Sequence, residues 1–328
     1  MVSIHHYNQF PHPLALATAK QTGMKFLTYC VLSAVLVGPA CLRHTQAQSV
    51  ELATPRLRVG SAFSNITPNR VLPNYNGSPL QPGDGSQFLL AHVIFCTDGE
   101  TEAAIISIDA TWVGRGVVLR IRDELHQRTG IVPDHVCIGA THAHHTPCLG
   151  PSFLSGATPD PVYVDFVVTR VGDAAEKARA QMEPAVLVTD VLRAPSIGVS
   201  RRRLSPNGQV FLPGGGPDPS WPAESPIDTK MQFVALENLD RQLIGFIFNF
   251  PCHNNVSGGS NYTGDMLGRA GQIMRQKLGD EMATVSLAAP CGDVGYFDVT
   301  KGNAWTIADD WAGGRAIATP ILKAYANG

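Results

Sequence analysis

Two short runs hold most of the side chains able to do chemistry: Thr141-His142-Ala143-His144-His145-Thr146-Pro147 and Pro251-Cys252-His253-Asn254-Asn255. On extended backbone, alternate residues share a side, so His142 and His144 are expected to face one pocket, with His145 turned away. Neutral imidazole is a common zinc ligand, and His253, arriving from a distant segment, supplies the separate direction that tetrahedral coordination needs. A third run, Pro290-Cys291-Gly292-Asp293-Val294-Gly295, places a carboxylate among glycines.

All three runs follow strand-like apolar segments, and loops at strand ends are where sheets with helices build their sites. Leu89 to Cys96 and Ala103 to Ile108 read as a hairpin turned at Asp98-Gly99. Val117, Ile121 and Leu125 fall at helical spacing before a stop at Gly130, and the strand at Val136 to Ile138 runs into the first histidine motif. A helix through Phe166 to Ala178 and a strand from Ala185 to Val191 come next. The Pro- and Gly-rich stretch between Ser200 and Ile227 cannot hold a helix or a central strand, and predicts a long surface loop of the kind that serves as a lid or binding loop. Phe233 to Leu236 and Leu243 to Phe250 form a second hairpin, followed by a helix from Asp265 to Leu278, a strand from Ala283 to Ala289 and a last helix near Ile307 to Ala326. No internal repeat is visible. The expected class is α/β, a mixed sheet with flanking helices, because hairpins pair antiparallel and helix-linked strands can pair in parallel.

Lys plus Arg number 25 against 27 Asp plus Glu, so no basic excess exists to neutralise a phosphate backbone and a nucleic-acid partner is not expected. Lys25, the apolar run Phe26 to Val37, Gly38-Pro39 and Thr45-Gln46-Ala47-Gln48 have the order of a cleavable secretory signal. The run is shorter than the roughly 20 apolar residues of a membrane span. Residues 1–47 are therefore expected to be an extension plus signal peptide cut after Ala47, and 48–328 an exported domain, secreted or periplasmic. That domain keeps Cys96, Cys137, Cys148, Cys252 and Cys291, an odd set with no CxxC spacing, and Cys96 and Cys137 read as small buried hydrophobes.

Further blocks occur in a telling order: Asn65-Ile66-Thr67-Pro68, Leu90-Ala91-His92, Ile106-Ser107-Ile108-Asp109, Gly139-Ala140-Thr141-His142-Ala143-His144, Ser200-Arg201-Arg202, Phe250-Pro251-Cys252-His253, Gly264-Asp265 and Cys291-Gly292-Asp293-Val294. With them, residues 58 to 328 resemble the N-terminal catalytic domain of the neutral/alkaline ceramidase family, zinc-dependent amidases that cleave the N-acyl bond of ceramide. The resemblance implies Zn2+ held by His142 and His253, with His144 beside the metal as the catalytic histidine. It also implies that Asp109, Asp265 and Asp293 lie near the same site, orienting imidazoles or swinging in as a further ligand. A lipid or other N-acylated small molecule is the implied substrate, with transient contact at a membrane surface. Departures at His92, at His145-Thr146 and at Gly295-Tyr296 bear on substrate contacts more than on metal binding.

The implied mechanism is metal-assisted amide hydrolysis, in which His144 hydrogen-bonds the developing oxyanion or assists proton transfer to the leaving amine. A serine hydrolase is a poor rival, since no GxSxG occurs. A thiol hydrolase using Cys148 or Cys252 is a weaker rival still. The family's other zinc ligands, a glutamate and a tyrosine, have no matching block before Gly328, so a domain incomplete at its C-terminus is expected. Two histidines alone predict weak zinc binding and little amidase activity. The competing expectation is a non-catalytic member that keeps the fold and acts in lipid or partner binding.

Overall fold

The structure is a computed structural model, and it describes residues 56–212, 218–301 and 304–327. The expected signal segment and its cleavage site lie outside the described residues. Among the described residues, no helix is long and apolar enough to cross a membrane.

The frame is a mixed sheet of eight strands: β1 (Arg58–Asn65), β2 (Leu90–Thr97), β3 (Glu102–Ile108), β4 (Val136–Ala140), β5 (Glu183–Arg193), β6 (Lys230–Asn238), β7 (Leu243–Phe250) and β8 (Ala283–Ala288). Helices α1 (Arg115–Thr129), α2 (Pro161–Ala180), α3 (Asp265–Leu278) and α4 (Asp310–Asn327) flank it. Spatial order is β8-β7-β6-β5-β1-β2-β3-β4. Both hairpins are antiparallel, β2 with β3 and β6 with β7, whereas β3–β4 and β7–β8, joined through α1 and α3, are parallel. The mixed sheet and flanking helices expected from sequence are present.

One property was not visible in the sequence. Residues 58–180 run β1-β2-β3-α1-β4-α2, and residues 183–327 run β5-β6-β7-α3-β8-α4. The pairing types within the two series match as well, so the chain is a topological repeat. The two units meet edge to edge only where β1 and β5 share two residue pairs, Arg58 with Pro184 and Val59 with Glu183.

Beyond that seam the two half-sheets turn their faces toward each other. A Cβ at Gly139 of β4 would sit 3.2 Å from Leu287 of β8, and one at Gly245 of β7 would sit 3.1 Å from Ser61 of β1. Val59, Ile94, Ala185, Leu236, Ala283 and Val285 form the core between them. Backbone N–H groups of β8 are satisfied across this gap: Thr284 N donates to His92 Nδ1 (3.2 Å), Ser286 N to Ser107 Oγ (3.3 Å) and Ala283 N to Ser61 Oγ (3.0 Å). Polar side chains in these strands thus cap an edge that would otherwise stay unpaired.

Period-two alternation sends the opposite side chains outward. Ala91, Val93, Phe95, Ala104, Ile106 and Ile108 pack under α1 and α2, and Phe246, Phe248 and Phe250 pack under α3 and α4. Each fully buried phenylalanine contributes about 1.5–3 kcal/mol. The layers run helix, sheet, sheet, helix. Cys96 is half-buried, but Cys137 is exposed, correcting the expectation of a buried thiol. It sits on edge strand β4, on the face where the opposing half-sheet no longer covers it. Among its described residues the Pro- and Gly-rich loop holds a short ladder, Arg203–Leu204 with Val210–Phe211, and Val199–Ser200 pairs with Val294–Gly295.

Candidate metal centre

The C-terminal ends of β3, β4, β7 and β8 deliver the site. After β4 the chain does not stay extended, because His142 takes a left-handed conformation (φ 60°). Contacts from elsewhere impose this costly geometry. Thr141 Oγ1 donates to Asp109 Oδ1 (3.1 Å), and His142 Nδ1 meets the carbonyl of Thr111 at 2.8 Å. His142 and His144 still converge, so the expected outcome stands although the extended backbone does not.

His142 Nε2 lies 3.2 Å from His253 Nε2 and 3.3 Å from His144 Nε2. His253 Nδ1 faces the carbonyl of Cys291 at 3.1 Å. A carbonyl accepts only, so His142 and His253 both carry their proton on Nδ1 and point Nε2 lone pairs at each other. Two lone pairs at that distance repel, and a cation between them removes the repulsion. Zn–N bonds of about 2.0–2.1 Å in a tetrahedron require N···N edges of about 3.3–3.4 Å, so the donors fit zinc in type and spacing.

His144 Nδ1 meets the hydroxyl of Tyr75 at 3.1 Å. With that hydroxyl donating, the His144 proton sits on Nε2 and points into the cluster. Burial holds His144 down at about 3, helped by His142 and His253, and burial holds His253 at about 4. Both rings are neutral at pH 7 and available as ligand or hydrogen-bond partner.

The aspartates were expected either to orient the site or to swing in as a further ligand, and two of them are already engaged by other donors. Asp109 is buried, accepting from Leu90 N and Thr141 Oγ1, and desolvation raises its pKa to about 6. Asp265, fully buried at the start of α3, accepts from the backbone of Val256, Ser257 and Met266, and burial raises its pKa too. These two brace the loops that carry His142 and His253. Asp293 is half-buried in the turn after β8, and its carbonyl receives Arg201 N. Among the described residues, the group whose ligand atom joins His142 and His253, all within 4.8 Å of one another, is Cys291.

Sequence reasoning assigned no role to four further positions. Thr111 and Cys291 act through carbonyls, which no side-chain pattern reveals. Tyr75 orients His144. Asn254, 1% exposed, donates to the carbonyls of Thr141 and Gly264 and accepts from Leu267 N. Its position directly after His253 was the available signal. The thiols proposed for a rival hydrolase are poor nucleophiles, since burial pushes Cys252 up to about 12 and raises Cys148 as well.

An aromatic wall leads outward from the cluster. Tyr75 stands edge-on to His144 and to Trp112, and Trp112 stacks on Phe153, which is 87% exposed. Leu154 beside it is exposed as well.

No protein-family model matches the chain, and no curated protein matches it. Solved structures do. A neutral ceramidase from Pseudomonas aeruginosa superposes with a TM-score of 0.65 at 16% identity over 81% of this chain and 44% of that one. A structure described as ceramidase complexed with C2 gives 0.64 and 16% over 81% of this chain and 43% of that one. The chain therefore spans less than half the length of these neighbours and shares their fold.

Proposed function

We propose that the chain is a zinc-dependent hydrolase of amide bonds, acting on N-acyl amphiphiles of the ceramide type. The observation that carries this reading is the pair of imidazoles, His142 and His253, whose protons are held on Nδ1 by backbone carbonyls and whose lone pairs meet at 3.2 Å. The likeness to ceramidase structures supports the same reading at the level of fold. The aromatic wall suits a substrate with an apolar chain, whose amide would reach the cluster while the chain lies along Trp112 and Phe153. An exported location, secreted or periplasmic, is the companion proposal, supported by the apolar run Phe26 to Val37 ahead of Ala47.

His142 and His253 would hold the ion, which when bound supplies a Lewis acid for a carbonyl and a water of lowered pKa. His144, neutral and backed by the Tyr75 hydroxyl, presents Nε2–H toward the same point. It donates to the oxygen on which charge develops as the amide is attacked. Asp109 and Asp265 keep the two ligand loops in place, so the donors are arranged before substrate arrives.

The test is hydrolysis of short- and long-chain N-acylsphingosines by protein stripped with chelator and then reloaded with zinc. Turnover restored by zinc and abolished in His142→Ala is expected. Stoichiometric zinc uptake without turnover on any N-acylated amphiphile would sink the hydrolase reading and favour a lipid-binding role.

A further inference from the structure

We propose that the Cys291 thiolate is a ligand of the metal beside the imidazoles of His142 and His253. The inference rests on the metal reading above and deepens it.

Cys291 is unpaired and half-buried, and its Sγ lies within 4.8 Å of a ring nitrogen of each of His142 and His253. Zn–S of about 2.3 Å and Zn–N of about 2.0–2.1 Å require S···N edges of about 3.5–3.6 Å. A shift of about 1 Å, within reach of a small side-chain torsion adjustment, closes any remaining gap. The backbone that would carry the sulfur is already fixed. Arg201 Nε and Nη2 both donate to the carbonyl of Gly292, at 3.0 and 2.8 Å, and Arg201 N donates to Asp293 O. Val294 N closes the turn onto Cys291 O, and His253 N donates to Val294 O. Cys291 thus orients one ligand through its carbonyl while presenting another through its side chain.

Charge gives the same answer. Two neutral imidazoles leave both charges of a divalent ion uncompensated, and the carboxylates of Asp109 and Asp265 are engaged by other donors. A thiolate removes one charge and is a soft donor that favours zinc over harder cations. Its proton passes to solvent on binding.

The experiment is titration of the full chain, reduced and stripped of metal, with cobalt(II) as a spectroscopic probe. Tetrahedral ligand-field bands in the visible should rise together with a thiolate-to-cobalt charge-transfer band in the near ultraviolet, saturating at one equivalent. X-ray absorption of the zinc form should show a sulfur shell at about 2.3 Å. Cys291→Ser should lose the charge-transfer band and bind at least roughly tenfold more weakly, whereas Cys252→Ser should keep the band. Ligand-field bands without charge transfer in the unmutated protein would overturn Cys291 as a ligand while leaving a histidine site intact. Transfer of the band's dependence to Cys252 would overturn it equally. No cobalt uptake at all would overturn the metal reading and this proposal with it.

Discussion

Asn254 donates its side-chain amide to the carbonyl of Thr141 at 3.1 Å, across 113 residues of sequence. Thr141 precedes His142 and Asn254 follows His253, so one buried side chain ties together the two loops that bring the imidazoles into contact.

Replacing Asn254 with alanine strands two carbonyls and one N–H in the interior. A loss of about 2–4 kcal/mol is expected in urea denaturation, with a weaker response to zinc because the ligand loops separate. Asn254→Asp should be worse than alanine, since it keeps the acceptor for Leu267 but aims negative charge at two carbonyl oxygens.

Tyr75 offers a test of how His144 works. In Tyr75→Phe the hydroxyl that fixes the His144 proton on Nε2 is gone, while the ring remains edge-on to Trp112. If His144 donates to the reacting oxygen, kcat should fall by about 10-fold or more with little change in KM. An equal loss in both His144→Gln and Tyr75→Phe, with no further loss in the double variant, would mark the pair as one unit.

Stability of the metal-free protein should depend on pH in a stated direction. Unfolded histidine protonates near 6.5, but burial holds His144 at about 3 and His253 at about 4 in the folded chain. Their contribution is complete above the unfolded value and is lost as pH falls from about 6.5 toward the folded values. Asp109 works in the opposite sense, since desolvation raises it to about 6 and the folded state then holds the extra proton. Burial raises Asp265 in the same sense as Asp109 and holds His92 well below the ordinary histidine value alongside the other two, so three histidines against two carboxylates leave destabilisation on acidification, about 1.4 kcal/mol per pH unit for each net proton. Chemical denaturation at a series of pH values checks the slope, and His144→Gln should flatten it.

Gly264, immediately before α3, lies against the Asp109 carboxylate, and a Cβ there would come within 2.8 Å of Oδ2. Gly264→Ala should push Asp109 off Thr141 and loosen the His142 loop, costing about 1–3 kcal/mol. Thermal denaturation reads the cost, and a parallel fall in zinc affinity would locate it at the site.

The four helices and the long strands after β1 are legible from period and punctuation: Gly130 ends α1 with φ 77°, and Asp98-Gly99 turns the first hairpin, whereas β1 (Arg58–Asn65) carries no such signal. The repeat is not legible in the sequence because a half-sheet demands only alternating apolar residues, which unrelated sequences meet equally well. The left-handed turn at His142 is not legible locally, since it is held by distant contacts, Thr141 with Asp109 and the His142 ring with the Thr111 carbonyl. The histidines themselves were legible as chemistry-bearing types at strand ends. Their carbonyl partners were not, because any residue has a carbonyl. Cys291 stands after β8 much as His142 stands after β4, but a single cysteine without CxxC spacing gives no sequence signal for a ligand.

The narrow seam between β1 and β5 bears on how the molecule comes apart. Each unit is contiguous in sequence, so most of its pairings close short loops, whereas the contact between His142 and His253 spans 111 residues. An ion held there bridges the two units in the manner of a removable staple, restraining separation of the half-sheets without adding to either one. Chelation should then accelerate unfolding far more than it slows refolding, because the bridge forms only after both units are in place.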